Sequence, residues 1–385
     1  MNQSFDVVVI GGGIVGLSAA IAMSQRNFSV ALIDAGKLTA DISGADPRVY
    51  AINQTSQKLL DTLGAWDGLD KTRLSPYLHM HVWDGVNQAH IDFDARMVGR
   101  DRLGTIIEEC VIKHALMQQL SKLSITTFPH CKVSTIESSP DAICIQDGMN
   151  AWQTKLLIVA DGAASTTRQR LGVTLTQWPY HQQAIVTRIR TEKPHQHTAY
   201  QVFNSDGPLA FLPLADQHQC SIVWSTTSTR AHTLMNLPDL QFAEQLTTAF
   251  SATLGACTVM EKRHQFPLHM RHAKQYSGPH WILMGDAAHT IHPLAGLGLN
   301  VGLADLAAWL RIIGTDKNKA WSKSVLGAYQ RQRKYEVWQM IAIMGGLKTL
   351  FANPLPPIAA LRGLGVQTCN HLMPIKRFFI EQAAG

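Results

Sequence analysis

The chain has 385 residues, 46% of them hydrophobic and 16% charged, with a formal net charge of +6. This is ample for a large core and points to one or two globular domains without low-complexity stretches. No run of 18 or more apolar residues occurs, which excludes a membrane-spanning helix, and Met1 leads within a few residues into a strand-like segment, with no basic region or cleavage site to suggest a signal peptide.

Residues Asp6 to Asp34 carry the clearest local signal. Val7-Val8-Val9-Ile10 is a continuous β-branched run, as expected of a buried parallel strand. Gly11-Gly12-Gly13-Ile14-Val15-Gly16 follows at once and fits GxGxxG through Gly11, Gly13 and Gly16. Leu17 to Arg26 reads as a helix that Asn27 ends, since Asn tolerates the left-handed conformation. Phe28 to Ile33 is a second apolar strand ending on Asp34. Gly11 permits the tight turn, Gly13 lets backbone approach a pyrophosphate, and Gly16 lets helix and strand pack closely. The helix N-terminus offers free N–H groups and a positive dipole to phosphate, and Asp34 is placed to accept from ribose hydroxyls. The unit predicts dinucleotide binding but fits FAD and NAD alike.

Strand-like alternation marks His79 to Phe93 and about Tyr180 to Phe266. Between them, Leu156 to Ala160 forms another buried-strand run leading into Asp161-Gly162, with Arg168 shortly after. Trp281 to Met284 repeats the pattern before Gly285-Asp286-Ala287-Ala288-His289, Pro293 and Gly296-Leu297-Gly298-Leu299-Asn300, and Val301 to Ile313 reads as an apolar helix. A carboxylate after a strand can bind the ribityl hydroxyls of a flavin. A Gly-rich turn opening a helix can aim N–H groups at the flavin pyrimidine edge. Residues after about 321 read as helices broken at Pro354-Leu355-Pro356-Pro357.

Charge is concentrated at this end. Residues 311–385 hold eleven Lys/Arg against three Asp/Glu, a net of +8, and the rest of the chain is about −2. Such a basic, apolar region suits anionic lipid or an acidic partner, or is simply a solvated helical face. No nucleic-acid-binding module accompanies it. The six cysteines are scattered, with no CxxC pair, as in a reducing cytoplasm. The pairs His79/His81, His195/His197 and His289/His292 lack Asp, Glu or Cys at ligand spacing, so no metal site is predicted.

The three motifs, in this order, resemble the flavoprotein monooxygenases typified by para-hydroxybenzoate hydroxylase, with Asp161-Gly162 as the DG motif and Gly285 to Asn300 as the GD motif. A narrower resemblance, to the ubiquinone-biosynthesis hydroxylases, rests on Asp46-Pro47-Arg48 with Ala51, on Gly207 to Leu214, on Trp224, and on a C-terminal pattern of Tyr329, Arg333-Lys334, Leu350-Phe351, Arg362-Gly363, Pro374 and Lys376. It spans essentially the whole chain. Three positions depart from it: Asp34 replaces a usual Glu, Leu297 a frequent Gln, and Glu109 stands where Asn, Gln or Arg is common; Glu109 is expected to point to solvent.

The resemblance implies an α/β fold: an FAD-binding Rossmann-like parallel sheet (1–75, 100–178 and 268–320), an inserted mixed-β substrate domain (76–99 and 179–267) and a C-terminal helical region (321–385). It implies FAD as cofactor, NADH or NADPH as electron donor, and molecular oxygen delivered through a flavin hydroperoxide to an aromatic ring, expected to be that of a prenylated phenol. The location expected is the cytoplasm, at the inner face of the membrane or beside other ubiquinone-biosynthesis proteins, with no nucleic acid involved. No side chain is named as catalyst, because the flavin carries the chemistry.

The expected cofactor residues are Gly11, Gly13, Ile14, Val15 and Gly16 at the pyrophosphate; Asp34 at the ribose; Asp161 and Gly162 beside the cofactor; Gly285 with Asp286 at the ribityl chain or pyrophosphate; Pro293 and Gly296 near the ring; and Gly298, Leu299 and Asn300 as N–H donors to the isoalloxazine. Arg48 pairs with a phosphate, closes over the flavin, or forms a surface salt bridge. Phe211 and Pro213 line the substrate pocket or pack in the core. His289 sits near the flavin or bonds to backbone at a helix start. Three other functions remain open: an FAD oxidase or dehydrogenase, a hydroxylase of a small soluble aromatic, and a non-catalytic FAD-holding member of a biosynthetic assembly.

Overall fold

The computed structural model describes residues 2–291 and 298–352, and beyond them Arg362, Gly363, Gly365, Thr368, Asn370, Leu372 and Lys376. Pro293, Gly296, Leu297 and the Pro354 to Pro357 break lie outside the described residues.

The first sheet grows from the β-branched run at the N-terminus. The strand Asn2–Ile10 lies between Val30–Ile33 on one side and Ala151–Val159 on the other, parallel to both. Ile125–Phe128 and Trp281–Leu283 extend the parallel set outward. Ile143–Gln146 pairs antiparallel with Ala151–Val159, and Thr135–Ser138 pairs antiparallel with Ile143–Gln146 in turn. Val7, Val8, Val9, Leu156, Leu157 and Ile158 are fully buried, as the unbroken apolar runs require of strands covered on both faces. The helix Ile14–Gln25 is buried along nearly its whole length, and Asn27 ends it at φ +61°.

The register explains how distant motifs converge. Ile10 pairs with both Ile33 and Val159, and Val159 pairs with Leu283. Because these strands are parallel, Gly11, Asp34, Asp161 and Gly285 all leave the sheet at the same edge. Chain order reverses direction there, between Asn2–Ile10 and Ala151–Val159, which opens the crevice in which doubly wound sheets bind ligands.

The second sheet is mixed. Its path runs His289–Thr290, His264–Ala273, Leu175–Thr191, Gln219–Thr227, Gly207–Pro213, Thr198–Asn204, His79–Asp84, His90–Asp94, with one parallel pairing, Thr198–Asn204 against His79–Asp84. One face carries Ile185, Val202, Phe211, Ile222 and Trp224 against the helices Ser228–Asn236 and Asp239–Ala249. The other carries Ala199, Leu212, Leu214 and Val223 toward a small sheet of Val49–Ile52, Ser75–Tyr77 and Gly104–Glu108. The hairpin also supplies acids that the histidine spacing hides: His81 Nδ1 lies 2.6 Å from Asp92 Oδ1 on the adjoining strand.

The helices Gly298–Ile313 and Lys323–Ala352 pack over the first sheet, and Phe351 at the end of the second stacks on Phe203 at 4.2 Å. Farther along, Arg362 Nε donates to Asp84 Oδ2 at 2.6 Å, both side chains fully buried, so the C-terminal region is tied to the mixed sheet.

Candidate cofactor site and family

A cleft of about 280 Å³ opens at the converging strand ends, lined by Gly11, Gly12, Gly13, Asp34, Asp161, Gly162 and Thr167 among others. Gly11 adopts φ +114°, and a Cβ there would overlap the Ala160 carbonyl oxygen. A Cβ on Gly16 would overlap the Gly11 carbonyl oxygen, so the helix can start this close to the strand only with glycine. Gly13 meets nothing within 4 Å: its missing side chain leaves space on the cleft side rather than room for protein. Ile14 and Val15 begin the helix, whose first N–H groups have no partner within it.

Asp34 is fixed by two backbone donors, Gly12 N at 2.5 Å to Oδ2 and Gly36 N at 2.7 Å to Oδ1. Lys132 lines the same cleft, a cation whose loop position gave no sequence signal. Asp161 Oδ2 accepts from Thr167 N at 3.2 Å, while its Oδ1 is buried and meets no hydrogen-bond partner among the described residues. A buried acceptor left over in a glycine-walled cleft fits a ligand bearing hydroxyls. Arg168 links the DG and GD segments by donating to Ala163 O at 3.2 Å and Ala287 O at 2.9 Å.

The GD turn is the second half of the site. Gly285 takes φ +58°, and its N–H donates to Asp305 Oδ2 at 2.8 Å. Asp286 is exposed, yet desolvation by the surrounding protein pushes its carboxyl pKa up, against the pull of His289, Arg271 and Arg48. His289 is neither free near the cofactor nor bonded to backbone: its Nε2 pairs with Asp305 Oδ2 at 2.7 Å. Arg333 Nε, from the next helix, donates to Asp305 Oδ1 at 2.6 Å. Burial opposes ionisation of Asp305, but its interactions with His289 and Arg333 outweigh it and hold its pKa below the usual carboxylate range. Asp305 was missed by sequence reasoning; its position in an apolar helix was a usable clue, since buried carboxylates require partners. Gly302 was missed too: a Cβ there would come within 2.9 Å of Val15 Cγ2.

Gly298, Leu299 and Asn300 form the first turn of their helix, where N–H groups lack intrahelical acceptors. The Asn300 side chain has its own task. It donates to Ala51 O at 2.7 Å and accepts from Asn53 N at 3.1 Å, tying the segment after Arg48 to the helix start.

Arg48 lies 3.4 Å from Glu109 Oε2 and packs over the Phe266 ring at 5.4 Å. Glu109 does not simply face solvent: it also accepts from Tyr50 OH at 2.9 Å. Of the two placements expected for Phe211, it takes the core one. It is fully buried and stacked on Phe250 at 3.6 Å, on the face turned away from the small sheet, and Pro213 is buried on the same strand. Alternation showed that the strand has two faces, not which of them packs against helices.

The family described as FAD binding domain matches residues 4–343. The chain is 33% identical to the 3-demethoxyubiquinol 3-hydroxylase of Escherichia coli (strain K12) over 398 residues, covering 100% of this chain and 99% of that protein. It is 33% identical to the mitochondrial ubiquinone biosynthesis monooxygenase COQ6 of Homo sapiens over 432 residues, covering 97% and 91%. The fold is similar to that of the p-nitrophenol 4-monooxygenase PnpA of Pseudomonas putida DLL-E4, with TM-score 0.81, 19% identity and coverage of 100% and 99%. The glycine cradle, the unpaired Asp161 oxygen and these full-length relationships place the chain in the FAD binding domain family, as an FAD-dependent monooxygenase.

Proposed function

We propose that the protein hydroxylates the aromatic ring of a prenylated phenol on the route to ubiquinone, using molecular oxygen with NADH or NADPH as electron donor. The observation that carries this reading is the end-to-end similarity to a demethoxyubiquinol hydroxylase, with no unmatched domain on either side.

Bound FAD supplies the oxygen-activating chemistry. The chain's residues bind, orient and exclude water. In this proposal Gly11, Gly13 and Gly16, with the helix start at Ile14 and Val15, hold the pyrophosphate. Asp34 accepts from the adenosine ribose, and Asp161 and Gly162 border the same cleft. Gly285 and Asp286 take the ribityl chain or pyrophosphate. Gly298, Leu299 and Asn300 present N–H groups to the isoalloxazine, with Pro293 and Gly296 between these two segments of sequence. Arg48, held over Phe266 and against Glu109, caps the cleft. The substrate meets the sheet face that carries Leu212 and Val223, opposite Phe211.

A substrate with a prenyl tail is met at a membrane surface. The basic surplus after residue 311 supports peripheral association at the cytoplasmic face, alone or beside other ubiquinone-biosynthesis proteins.

Deleting the gene in a strain without a redundant hydroxylase, and profiling quinones by mass spectrometry, tests the substrate class. A prenylated intermediate lacking one hydroxyl is expected to accumulate. Unchanged ubiquinone would contradict the substrate assignment, leaving hydroxylation of a soluble aromatic.

A further inference from the structure

The helix Lys323–Ala352 shows water a face that does not belong in water. Its inward side carries Leu326, Tyr329, Val337 and Ile341, all buried. On the outward side Tyr335 is 65% exposed, Trp338 40%, Ile343 49% and Leu350 41%. The residues exposed between 335 and 350, among those described, include no charged one. At 100° per residue they fall within an arc of about 140° and run for about 22 Å along the axis. A solvated helix face of this length ordinarily carries charges. The charges sit at its N-terminal end, where Arg331 is exposed, Lys334 partly so, and the half-exposed Glu336 is paired with the buried Arg333.

We infer that this face is a docking surface for an anionic lipid bilayer. Three observations select lipid over a second copy of the chain. The face is uncharged and the exposed charge at its N-terminal end, Arg331 with the half-exposed Lys334, is cationic, so two copies would bring like charges together and an anionic headgroup layer would attract. Tyr335 and Trp338 have the amphipathic rings that settle at a membrane–water boundary. The helix is held to the body at both ends of this face, Arg333 on Asp305 and Phe351 on Phe203, which leaves the apolar side turned outward. Among the described residues no helix is long and apolar enough to cross a membrane, which leaves docking in the plane of the interface. Since Phe351 packs on the mixed sheet, docking here also brings that sheet to the bilayer. The inference rests on the proposed lipid-soluble substrate only for its purpose; binding is tested without turnover.

The test is flotation of FAD-loaded, full-length protein with vesicles of phosphatidylcholine alone or with phosphatidylglycerol. The wild type is expected to float with the anionic vesicles and to be released by high salt. Ile343→Glu and Trp338→Glu are each expected to weaken binding about tenfold or more, through the cost of placing a charge in the apolar layer. FAD content serves as the folding control, and Ile343 is 49% exposed on the outer side of the helix. Failure of the wild type to float, or equal flotation of both variants, would overturn the inference. So would a wild-type dimer that Ile343→Glu converts to monomer, which would assign the face to a second copy. A quinone profile that contradicts the substrate proposal while flotation succeeds leaves the docking surface standing.

Discussion

Gly16→Ala is expected to yield protein that has lost both FAD and stability. The new Cβ overlaps the Gly11 carbonyl oxygen, which is backbone and cannot swing aside. The helix Ile14–Gln25 must then move off the strand Asn2–Ile10, taking its N-terminal N–H groups away from the pyrophosphate position. We expect FAD affinity to fall at least about a hundredfold, or about 3 kcal/mol, and the melting temperature to drop by several degrees, since overpacking costs about 1–3 kcal/mol. Gly13→Ala separates the two effects. Gly13 has φ −77° and no neighbour for a Cβ within 4 Å, so the apoprotein should melt as the wild type does while FAD affinity falls. Titration with FAD, followed by flavin fluorescence, and thermal unfolding with and without FAD check both. Wild-type FAD affinity in Gly13→Ala would remove the cradle from the site.

The second large effect is expected at Asp305. Asp305→Asn removes the one carboxylate that joins Gly285 N, His289 and Arg333. It leaves the buried Arg333 guanidinium with only the half-exposed Glu336 as counter-charge, and breaking such a buried pair costs about 3–5 kcal/mol. The GD turn loses its clamp, so FAD should also dissociate about tenfold or more faster. The pH dependence follows from the sign of the shift. The folded-state pKa of Asp305 is depressed, so its contribution is complete above the unfolded value of about 3.9 and is lost as pH falls through the folded value. The wild type should therefore exceed Asp305→Asn in unfolding free energy by a constant margin from pH 5 to 8, narrowing below about pH 4. Denaturant melts across that range check it. A margin within about 0.5 kcal/mol at pH 7 would show that the network contributes no net stability.

What the sequence made legible was local or strictly periodic. Val7 to Asp34 is one strand–turn–helix–strand unit whose glycines each answer a nearby backbone constraint, so the geometry could be anticipated residue by residue. Asp161 and Asp286 were recognisable because each follows a buried-strand run. That the strands before them lie beside the one ending at Gly11 depends on parallel register across 150 and 275 positions of sequence, and resemblance to a family supplied that step. The Asp305 network was hidden because its partners lie 16, 20 and 28 positions away on three different elements. Phe211 shows the opposite limit. Period-2 alternation identifies two faces of a strand, but the helices that turn one of them into core come later in the chain, at Ser228–Asn236 and Asp239–Ala249. Glu109 looked misplaced only because Arg48 and Tyr50, which engage it, sit about 60 residues earlier on a neighbouring strand.

The central claim is that this chain inserts oxygen into an aromatic ring. Turnover of the purified, FAD-loaded protein under ¹⁸O₂ with NAD(P)H and a prenylated phenol, followed by mass spectrometry of the product, tests it most directly. One labelled oxygen atom is expected in the ring of each product molecule, and none when the label is in water. Consumption of NAD(P)H and oxygen with release of hydrogen peroxide and an unlabelled ring would contradict it.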